Sequence, residues 1–510
     1  MSRQTSCGLL ASFADAALFV FGTGLCGLGL AAQPSPVADA AEHRDRGKVE
    51  QLLRGGSPVD GPQADKTTAL HWAAYHDDAE TAAALVKAGA NVNALNRYGM
   101  PPLALACSNG GFAVAKLLLE AGADVNTRLN GGETMLMLAS RSGNVDLAKM
   151  LLSRGANPNA RERAGQSALM WAAAEGHTVV IRALLDAGAE YNAKSESGFT
   201  PFLFAVREGH LEAARALLAA GADVNAMLNR GGRANRTTPL MLAVQNGHFE
   251  LAIALIDSGA DPNDLRTGFT PLHMLPGVRK PDSSDGSDGA APLGAGRLSS
   301  LDFVREIVKR GANVNLRLPK GTPKMPATSS RVATEGATPM LFAADRSDVP
   351  LMRLLIELGA DPLIPNFNNT TPLMAAAGLG TKEAMEEAGE ESEAVEAVNL
   401  LLDRGADING VDNNGDTAMH GAAENMYPSV INLLAQRGAD PAVWSKPNKQ
   451  GRTPLFIAEG YVGSELRPDP PTIAAITKLM VAAGLSTDGL RPKIIDPNER
   501  PAAEVPATPK

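Results

Sequence analysis

The sequence predicts an all-α protein built as a solenoid of short helical pairs. Segments that open like Thr-Pro-Leu-His recur along the chain, and the first four intervals between them are each 33 residues. A fixed period of this size indicates stacked units, each a pair of helices and a turn. Only 4% of residues are aromatic, which favours closely packed helices over a β-sandwich. The segments begin at residues 68, 101, 134, 167, 200, 238, 270, 338, 371, 417 and 453.

Residues 1–32 form an apolar leader ahead of the repeats. The stretch AALFVFGTGLCGLGLAA at 16–32 has no charge, is short for a membrane span and ends in small residues. These features are typical of a secretory signal peptide and predict a periplasmic or secreted protein. The alternative is an uncleaved leader that anchors the chain. Cys7 and Cys26 lie in the leader, so the mature chain would keep only Cys107, predicted to be a small buried residue, and could form no internal disulfide.

Residues 33–67 are predicted to form an N-terminal capping repeat. Ser35-Pro36 offers a helix N-cap followed by proline at the first helical position. The segment 37–60 then follows the repeat pattern loosely and carries more polar residues. An end repeat needs such a polar outer side because one of its faces has no neighbour.

The recurring residues of each repeat have mechanical explanations. The opening threonine can cap the first helix, and the proline beside it occupies a position where no N–H is needed. Small pairs such as Ala172-Ala173 allow helices to approach closely, and Leu217-Leu218 gives a second helix its apolar side. Gly221 can end that helix because glycine readily adopts the left-handed conformation. Asn225 is expected to hold the following turn through its side chain.

This repeat resembles the ankyrin repeat. TPLH at 270–273 matches the opening of that family's pattern, Gly-His at 176–177 its middle and GADVN at 221–225 its end. The resemblance covers almost all of the chain after the leader. It implies helix-turn-helix units joined by β-turns, with first helices and turn tips lining a concave face. With segments such as TALHWAA at 68–74, the chain also resembles secreted ankyrin-repeat proteins of environmental bacteria, which implies export but no defined activity.

Insertions interrupt the later repeats. The turn inserts at 227–237 and 317–337 are basic, whereas the insert at 380–396 is strongly acidic. Loops carry function more often than frames do, but solenoid loops also tolerate length changes. The predicted organisation is ankyrin repeats at 68–269, a repeat with two insertions at 270–337, repeats with a C-terminal cap at 338–490, and a disordered proline-rich tail at 491–510.

Motifs for catalysis or metal binding are weak. The DSSDGSDG segment at 282–289 has leucine, Leu293, where an EF-hand loop needs glutamate, so we expect a solvated acidic loop. Six of the eight histidines occupy repeat positions and are predicted to make hydrogen bonds within the frame; only His43 and His76 do not. We therefore expect no catalytic residue, no cofactor and no metal. The net charge of −9 argues against a nucleic-acid partner.

The remaining candidate is a protein-binding surface made of first-helix ends and turn tips. Its residues vary between repeats while the frame is uniform, and tyrosine and arginine often dominate binding energies. For any single residue, simple solvent exposure is the alternative. Trp72 and Trp171 are predicted to be core residues, whereas Trp444 is predicted to lie in a turn as a contact. The candidates are Tyr75, His76, Arg97, Tyr98, Asn109, Arg128, Arg141, Arg161, Glu175, Arg207, Arg230, Arg233, Gln245 and Trp444.

The sequence thus predicts an exported, non-enzymatic, monomeric scaffold that binds a protein partner through its concave face and inserted loops. It predicts no membrane contact beyond the leader. One alternative is a structural or protective envelope protein without a defined partner. The other is a metal-binding or enzymatic module in the loop at 276–300.

Overall fold

A computed structural model describes residues 35–229, 236–281, 291–324, 330–380, 389–460 and 468–488. The chain divides into two compact units, Met1–Asp124 and Val125–Lys510. The predicted leader with Cys7 and Cys26, and the predicted tail, lie outside the described residues. So do the turn candidates Arg230 and Arg233 and the acidic segment at 282–289.

Within its described residues, 35–124, the first unit contains three consecutive pairs of short helices. The first pair is the predicted capping repeat, and the other two pairs follow the openings at 68 and 101. The helices are α1 Pro36–Glu42, α2 Arg46–Arg54, α3 Ala69–Tyr75, α4 Ala79–Lys87, α5 Pro102–Ser108 and α6 Phe112–Glu120.

The second unit continues the same arrangement of helix pairs. Its described strands are β1 Leu228–Asn229 and β2 Arg236–Thr237, which pair antiparallel within the first turn insert. Its helices are α7 Met135–Ser142, α8 Val145–Ser153, α9 Ala168–Ala174, α10 Thr178–Asp186, α11 Pro201–Arg207, α12 Leu211–Ala219, α13 Pro239–Gln245, α14 Phe249–Asp257, α15 Pro271–Arg279, α16 Ser300–Lys309, α17 Pro339–Asp345, α18 Val349–Glu357, α19 Pro372–Ala376, α20 Glu391–Leu402, α21 Ala418–Glu424, α22 Pro428–Gln436, α23 Pro441–Trp444, α24 Pro454–Ala458 and α25 Pro470–Ala482.

Local chemistry sets the helix ends as the sequence predicts. The Thr200 hydroxyl accepts from the backbone N–H of Leu203, and Pro201 occupies the first helical position. A threonine cap of this kind stabilises a helix by about 1 kcal/mol. At the far end of the pair, Gly221 has φ 104°, a left-handed conformation that side chains other than glycine's adopt only with strain.

The core is built from alanine, leucine and a few larger side chains. Ala172 and Ala173 in α9 are fully buried, as the packing argument requires. Phe249 and Phe303 stack with their ring centroids 5.0 Å apart and join α14 to α16 across the insert that separates them. Each such buried side chain contributes roughly 1.5–3 kcal/mol. Cys107 is buried as predicted, and burial raises the pKa of its thiol.

Asparagine side chains link successive repeats. Asn159 donates from its Nδ2 to the carbonyl of Gly188, and its Oδ1 accepts from the backbone N–H of Glu190. The asparagine side chain was expected to hold the turn that follows it. This expectation is wrong for Asn159, because its side chain bonds to the next repeat instead. The same donation to the next repeat's glycine carbonyl is made by Asn93, Asn225, Asn263 and Asn315.

The described end of the insert between α15 and α16 folds back onto α14. The backbone N–H groups of Arg297 and Leu298 donate to the Glu250 carboxylate at 2.7 and 3.1 Å. The N–H of Ala295 donates to Nδ1 of His248 at 2.8 Å. This segment is therefore held by specific bonds to the preceding repeat.

A buried ion pair joins the insert-bearing repeat to the next one. Arg279 donates from Nε and Nη2 to the two carboxylate oxygens of Asp348, at 2.6 and 3.0 Å, and also binds the Ser300 hydroxyl. The side chain of Asp348 is only 1% exposed. Because each buried charge needs a partner, this pair specifies how α15 meets α18.

None of the helices within the described ranges combines the length and the hydropathy needed to cross a membrane.

Candidate functional site

In the first unit, two predicted contact residues belong to an aromatic cluster at the end of α3. The Trp72 ring is stacked near His76 at 5.8 Å and meets Tyr75 edge-on at 5.9 Å. Trp72 is buried, as predicted, while Tyr75 remains 37% exposed. His76 is tied to the capping repeat through its Nε2 and the carbonyl of Glu42, 3.0 Å away. Tyr75 is therefore the member of this cluster that is most exposed to solvent.

The other first-unit candidates lie at the end of α5 and in the turn that precedes α5. Asn109 donates from Nδ2 to the carbonyl of Tyr75 at 2.7 Å, and Arg97 donates to the carbonyl of Ala64. Tyr98, at a turn tip, is 43% exposed. The structure thus uses Asn109 and Arg97 within the frame and presents Tyr98 to solvent.

In the second unit, the arginines at the ends of α7 and α11 lie over aromatic rings. The guanidinium of Arg141 is 5.2 Å from the Trp171 ring, which is partly exposed rather than a core residue as predicted. That of Arg207 is 5.1 Å from Phe204 and pairs with Glu208 at 2.7 Å. Arg141 therefore lies against the next repeat, which carries Trp171, whereas Arg207 lies against Phe204 of its own repeat. Glu175, at the end of α9, remains exposed.

The turn-tip arginines bond to neighbouring turns. Arg128 donates to the carbonyl of Arg161 at 3.1 Å, and Arg161 donates to that of Lys194 at 2.9 Å. Arg161 also pairs with Glu190 at 3.4 Å. These guanidinium groups therefore connect turns to each other, in addition to any role at the surface.

The histidines behave as the sequence predicts. In α3 and α15, a histidine Nδ1 meets the hydroxyl of the capping threonine, and burial lowers the pKa of His71 and brings that of His273 to about 4. The Gly-His histidines bond through Nε2 to a carbonyl of the preceding repeat. These bonds join His177 to Arg141, His210 to Ala174 and His248 to Arg207, at 2.9, 2.9 and 2.8 Å.

The prediction that Trp444 contacts a partner is wrong. It ends the short helix α23 and is only 2% exposed, so it cannot serve as a surface contact. The proline after Asp440 starts a helical turn where other repeats have a plain turn, and this turn carries the indole inward.

The two basic turn inserts meet at a small recess beside Gln245. Arg236 from the first insert and Lys324 from the second both line it, although 88 positions separate them in the numbering. The structure thus brings Gln245 together with two basic side chains that sequence reasoning had treated as separate features.

A larger polar cleft of about 480 Å³ lies in the later repeats of the second unit. Four successive turns form its wall, and residues following α19 and ending α21 form its floor. A volume of this size is within the range of ligand sites in proteins. The lining residues are Arg331, Val332, Ala333, Glu335, Phe367, Asn368, Thr370, Leu379, Gly380, Asp412, Asn414, Asp416, Glu424, Asn448, Gln450 and Arg452.

Two carboxyl groups of the cleft, those of Asp412 and Asp416, are buried, and that of Glu424 is half-buried. Asp412 and Asp416 are 6% and 7% exposed, and burial raises the pKa of both. Burial also raises the pKa of Glu424 to about 7, with Asp416 contributing by repulsion, while the Gly380 N–H at 3.0 Å acts in the opposite direction. Arg331 is also among the cations that lower it. The cleft therefore holds a carboxyl that titrates near neutral pH.

Sequence reasoning missed this cleft although a signal was present. Glu424 lies seven residues after its repeat opening, the position that Tyr75, Arg141, Arg207 and Gln245 occupy in theirs. The first-helix candidates predicted from the sequence ended with Gln245, in the repeat that opens at 238. Extending the same position through the later repeats would have reached Glu424.

Metal chemistry finds no support in the described ranges, where no three His, Cys, Asp or Glu side chains are grouped as a metal ion requires. The weak calcium motif at 282–289 lies outside those ranges.

Ankyrin-repeat models match more than half of this chain. A model described as ankyrin repeats in three copies matches residues 37–129, 136–228 and 387–464. A second, described as ankyrin repeats in many copies, matches residues 205–256.

Curated relatives are similar over shorter stretches. The Homo sapiens transient receptor potential cation channel subfamily A member 1 is 29% identical over 26% of this chain and 10% of its own length. The E3 ubiquitin-protein ligase KEG of Arabidopsis thaliana is 29% identical over 32% of this chain and 9% of its own. The ankyrin repeat and LEM domain-containing protein 1 homolog of Caenorhabditis elegans is 37% identical over 14% of this chain and 10% of its own. The chain spans about a tenth of the length of these relatives.

Among solved structures, the human ASB11 ankyrin repeat domain is similar, with a TM-score of 0.41 and 24% identity. It covers 45% of this chain and 100% of its own.

Proposed function

This chain belongs to the ankyrin-repeat family, and on that premise we propose that it is an exported scaffold that binds a protein partner through its first-helix ends and turns. The partner meets a rigid surface, so little ordering cost accompanies binding. The fold is typically non-enzymatic, and the proposed role requires no cofactor.

The observation that carries this proposal is the polar cleft, because its walls come from turns rather than from the second helices. Exposed side chains such as Asn414 and Gln450 stand at its edge. Ordinary frame packing does not need an open recess spanning four repeats. In the first unit, Tyr75 at a first-helix end and Tyr98 at a turn tip provide exposed aromatic surface.

Export is supported by the apolar leader at 1–32, which has the composition of a secretory signal peptide. The proposed location is periplasmic or extracellular, as in the secreted bacterial proteins that the sequence resembles. The protein acts as a monomer in this proposal. N-terminal sequencing of the purified protein tests the cleavage, and light scattering tests the monomer.

The binding proposal is tested by affinity capture with two matched variants. The front variant replaces Tyr75, Glu175 and Gln450 with alanine. The back variant replaces the second-helix residues Arg182, Glu212 and Arg215, which are also exposed. We expect one protein to be retained by the native chain and the back variant and lost by the front variant.

Two other results would overturn the proposal. Loss on the back variant alone would place binding on the second helices. Retention of nothing by the native chain would favour a structural envelope protein without a defined partner.

A further inference from the structure

We propose that the polar cleft seats a partner segment in which a basic and an acidic side chain lie close together. This inference rests on the proposed protein-binding function and specifies its chemistry. It follows from how the cleft distributes its charges, in addition to the volume of the recess.

The cleft contains groups of both charge signs that form no direct ion pair with one another among the described residues. Asp416 and Glu424 face the same space as Arg331 and Arg452. Among the described residues, no nitrogen–oxygen contact within 4.0 Å joins these groups. Proteins normally pair charges that are removed from water. Of the four groups, Asp416 is buried, Glu424 and Arg452 are half-buried and Arg331 is exposed, and all four line a space that another molecule can enter.

Asp412 is the exception, because both of its carboxylate oxygens accept hydrogen bonds from the chain itself. Its Oδ1 accepts from the backbone N–H groups of Asn414 and Asp416, at 2.7 and 2.9 Å. Its Oδ2 accepts from the side-chain amide of Asn368 at 2.8 Å. Asp412 therefore shapes the turn and is not available as a ligand-binding group.

Asp416 and Glu424 are only partly satisfied. Oδ1 of Asp416 accepts from Asn448 at 2.7 Å, and Oε2 of Glu424 accepts from the Gly380 N–H at 3.0 Å. One oxygen of each carboxyl makes no hydrogen bond to the described chain. An ammonium or guanidinium group donates in several directions and can serve both oxygens.

The two arginines offer the complementary half. The guanidinium groups of Arg331 and Arg452 donate no side-chain hydrogen bond to the described residues, although their backbone N–H groups are bonded to Gly380 and Asn448. A guanidinium fork binds a carboxylate in a bidentate manner. A ligand of a single sign would satisfy one half of the cleft and meet repulsion from the other.

A protein segment fits this arrangement better than a small ion. The cleft crosses four successive turns, the direction along which an extended chain would lie, and amides of Asn414 and Gln450 at its edge can bind peptide groups. A neighbouring basic and acidic residue would then reach the floor and the wall together.

The experiment measures binding of fluorescent acetylated and amidated peptides to the full chain by anisotropy. The probes have equal length and carry alternating lysine and glutamate, lysine with glycine, glutamate with glycine, or serine with glycine. We expect the alternating peptide to bind about tenfold more tightly than the others. Glu424→Gln and Arg452→Gln should each weaken it by about tenfold, whereas the exposed controls Glu120→Gln and Arg182→Gln should not.

Several results would overturn the inference. These are equal binding of a single-sign or uncharged peptide, no saturable binding of the alternating peptide at millimolar concentration, and unchanged affinity in both cleft variants. Circular dichroism of each variant separates lost binding from lost folding. If the captured protein partner binds Glu424→Gln and Arg452→Gln normally, the charge inference fails while the protein-binding function stands.

Discussion

The regular repeats from 134 to 257 and the insert-bearing repeats from 338 to 452 use different side chains to bond each repeat to the one before it. In the repeats that open at 167 and 200, the residue ten positions after the opening is histidine, which bonds to a carbonyl of the preceding repeat, as His177 and His210 do. In the repeat that opens at 134, Asn144 occupies this position and caps its own second helix. In the insert-bearing repeats, Asp348 and Tyr427 occupy that position. Asp348 receives Arg279, and Tyr427 donates its hydroxyl to the Gly389 carbonyl at 3.0 Å.

The comparison shows that this position is a link between repeats rather than a histidine site. Where the period is 33, the preceding carbonyl lies within reach of an imidazole. The imidazole link is kept across the turn insert at 227–237, where His248 bonds to the Arg207 carbonyl at 2.8 Å. After the two longer inserts, an arginine side chain or an insert carbonyl supplies the partner instead. The links of the insert-bearing repeats therefore depend more on charge.

The largest effect is expected from Arg279→Ala. Removing the guanidinium leaves Asp348 buried without its partner, and such loss destabilises a protein by about 3–5 kcal/mol. Chemical denaturation should show the loss, and Asp348→Ala in the same chain should restore part of it. The exposed arginine Arg305, paired with Glu357, is the control, and its alanine variant should change little. Equal effects of the two arginine variants would contradict the comparison.

The next effect concerns pH and Glu424. Its folded pKa of about 7 lies above its usual value, so the folded state holds a proton that the unfolded state releases, and stability falls as pH rises from about 4.5 to about 7. Glu424→Gln removes this loss, and at pH 8 it should be more stable than the native chain by about 2–3 kcal/mol. Denaturation at pH 5 and pH 8 measures the difference. If the stability difference between pH 5 and pH 8 were the same in the native chain and in Glu424→Gln, the result would argue against a desolvated Glu424 carboxyl.

A smaller effect is expected from the asparagine links of the regular repeats. Asn159→Ala loses two hydrogen bonds to the next repeat and should cost about 1–2 kcal/mol. Asn192 occupies the same repeat position but makes no such bond in the described structure, so Asn192→Ala is the matched control. If both alanine variants lost a similar amount of stability, the conformational preference of asparagine would matter there rather than its bonds to the next repeat.

The smallest effect is local and concerns His248. Burial lowers its pKa, and its Nδ1 can accept from the Ala295 N–H only when neutral. Stability is therefore lost as pH falls below about 6.5, the unfolded value. Hydrogen exchange should show faster exchange of the Ala295 amide at pH 5 than its intrinsic rate predicts. Amides of Arg297 and Leu298, held by Glu250, serve as the internal comparison.

The frame could be predicted from the sequence because its signals are local. The threonine cap, the proline beside it and the glycine that ends each second helix act within a few residues, and the period repeats them. The histidine roles followed from position alone. The prediction for Trp444 was wrong because a proline starts a helical turn there that the regular repeats lack.

The cleft could not be predicted in the same way because the residues that line it are far apart in the sequence and are separated by inserts. Its wall combines Arg331 with Arg452, which are 121 positions apart in the numbering, and no periodic pattern encodes that juxtaposition. Only Glu424 was accessible to sequence reasoning, through its repeat position. The burial that raises its pKa is a property of the assembled turns.

Site-specific photo-crosslinking tests the central claim most directly. A photoreactive residue is placed at Gln450, on the edge of the cleft, or at Arg215, on an exposed second helix, and the chain is irradiated with its captured partner. The account predicts a crosslinked partner from position 450 and none from position 215. A crosslink from position 215 alone would contradict binding through the turns.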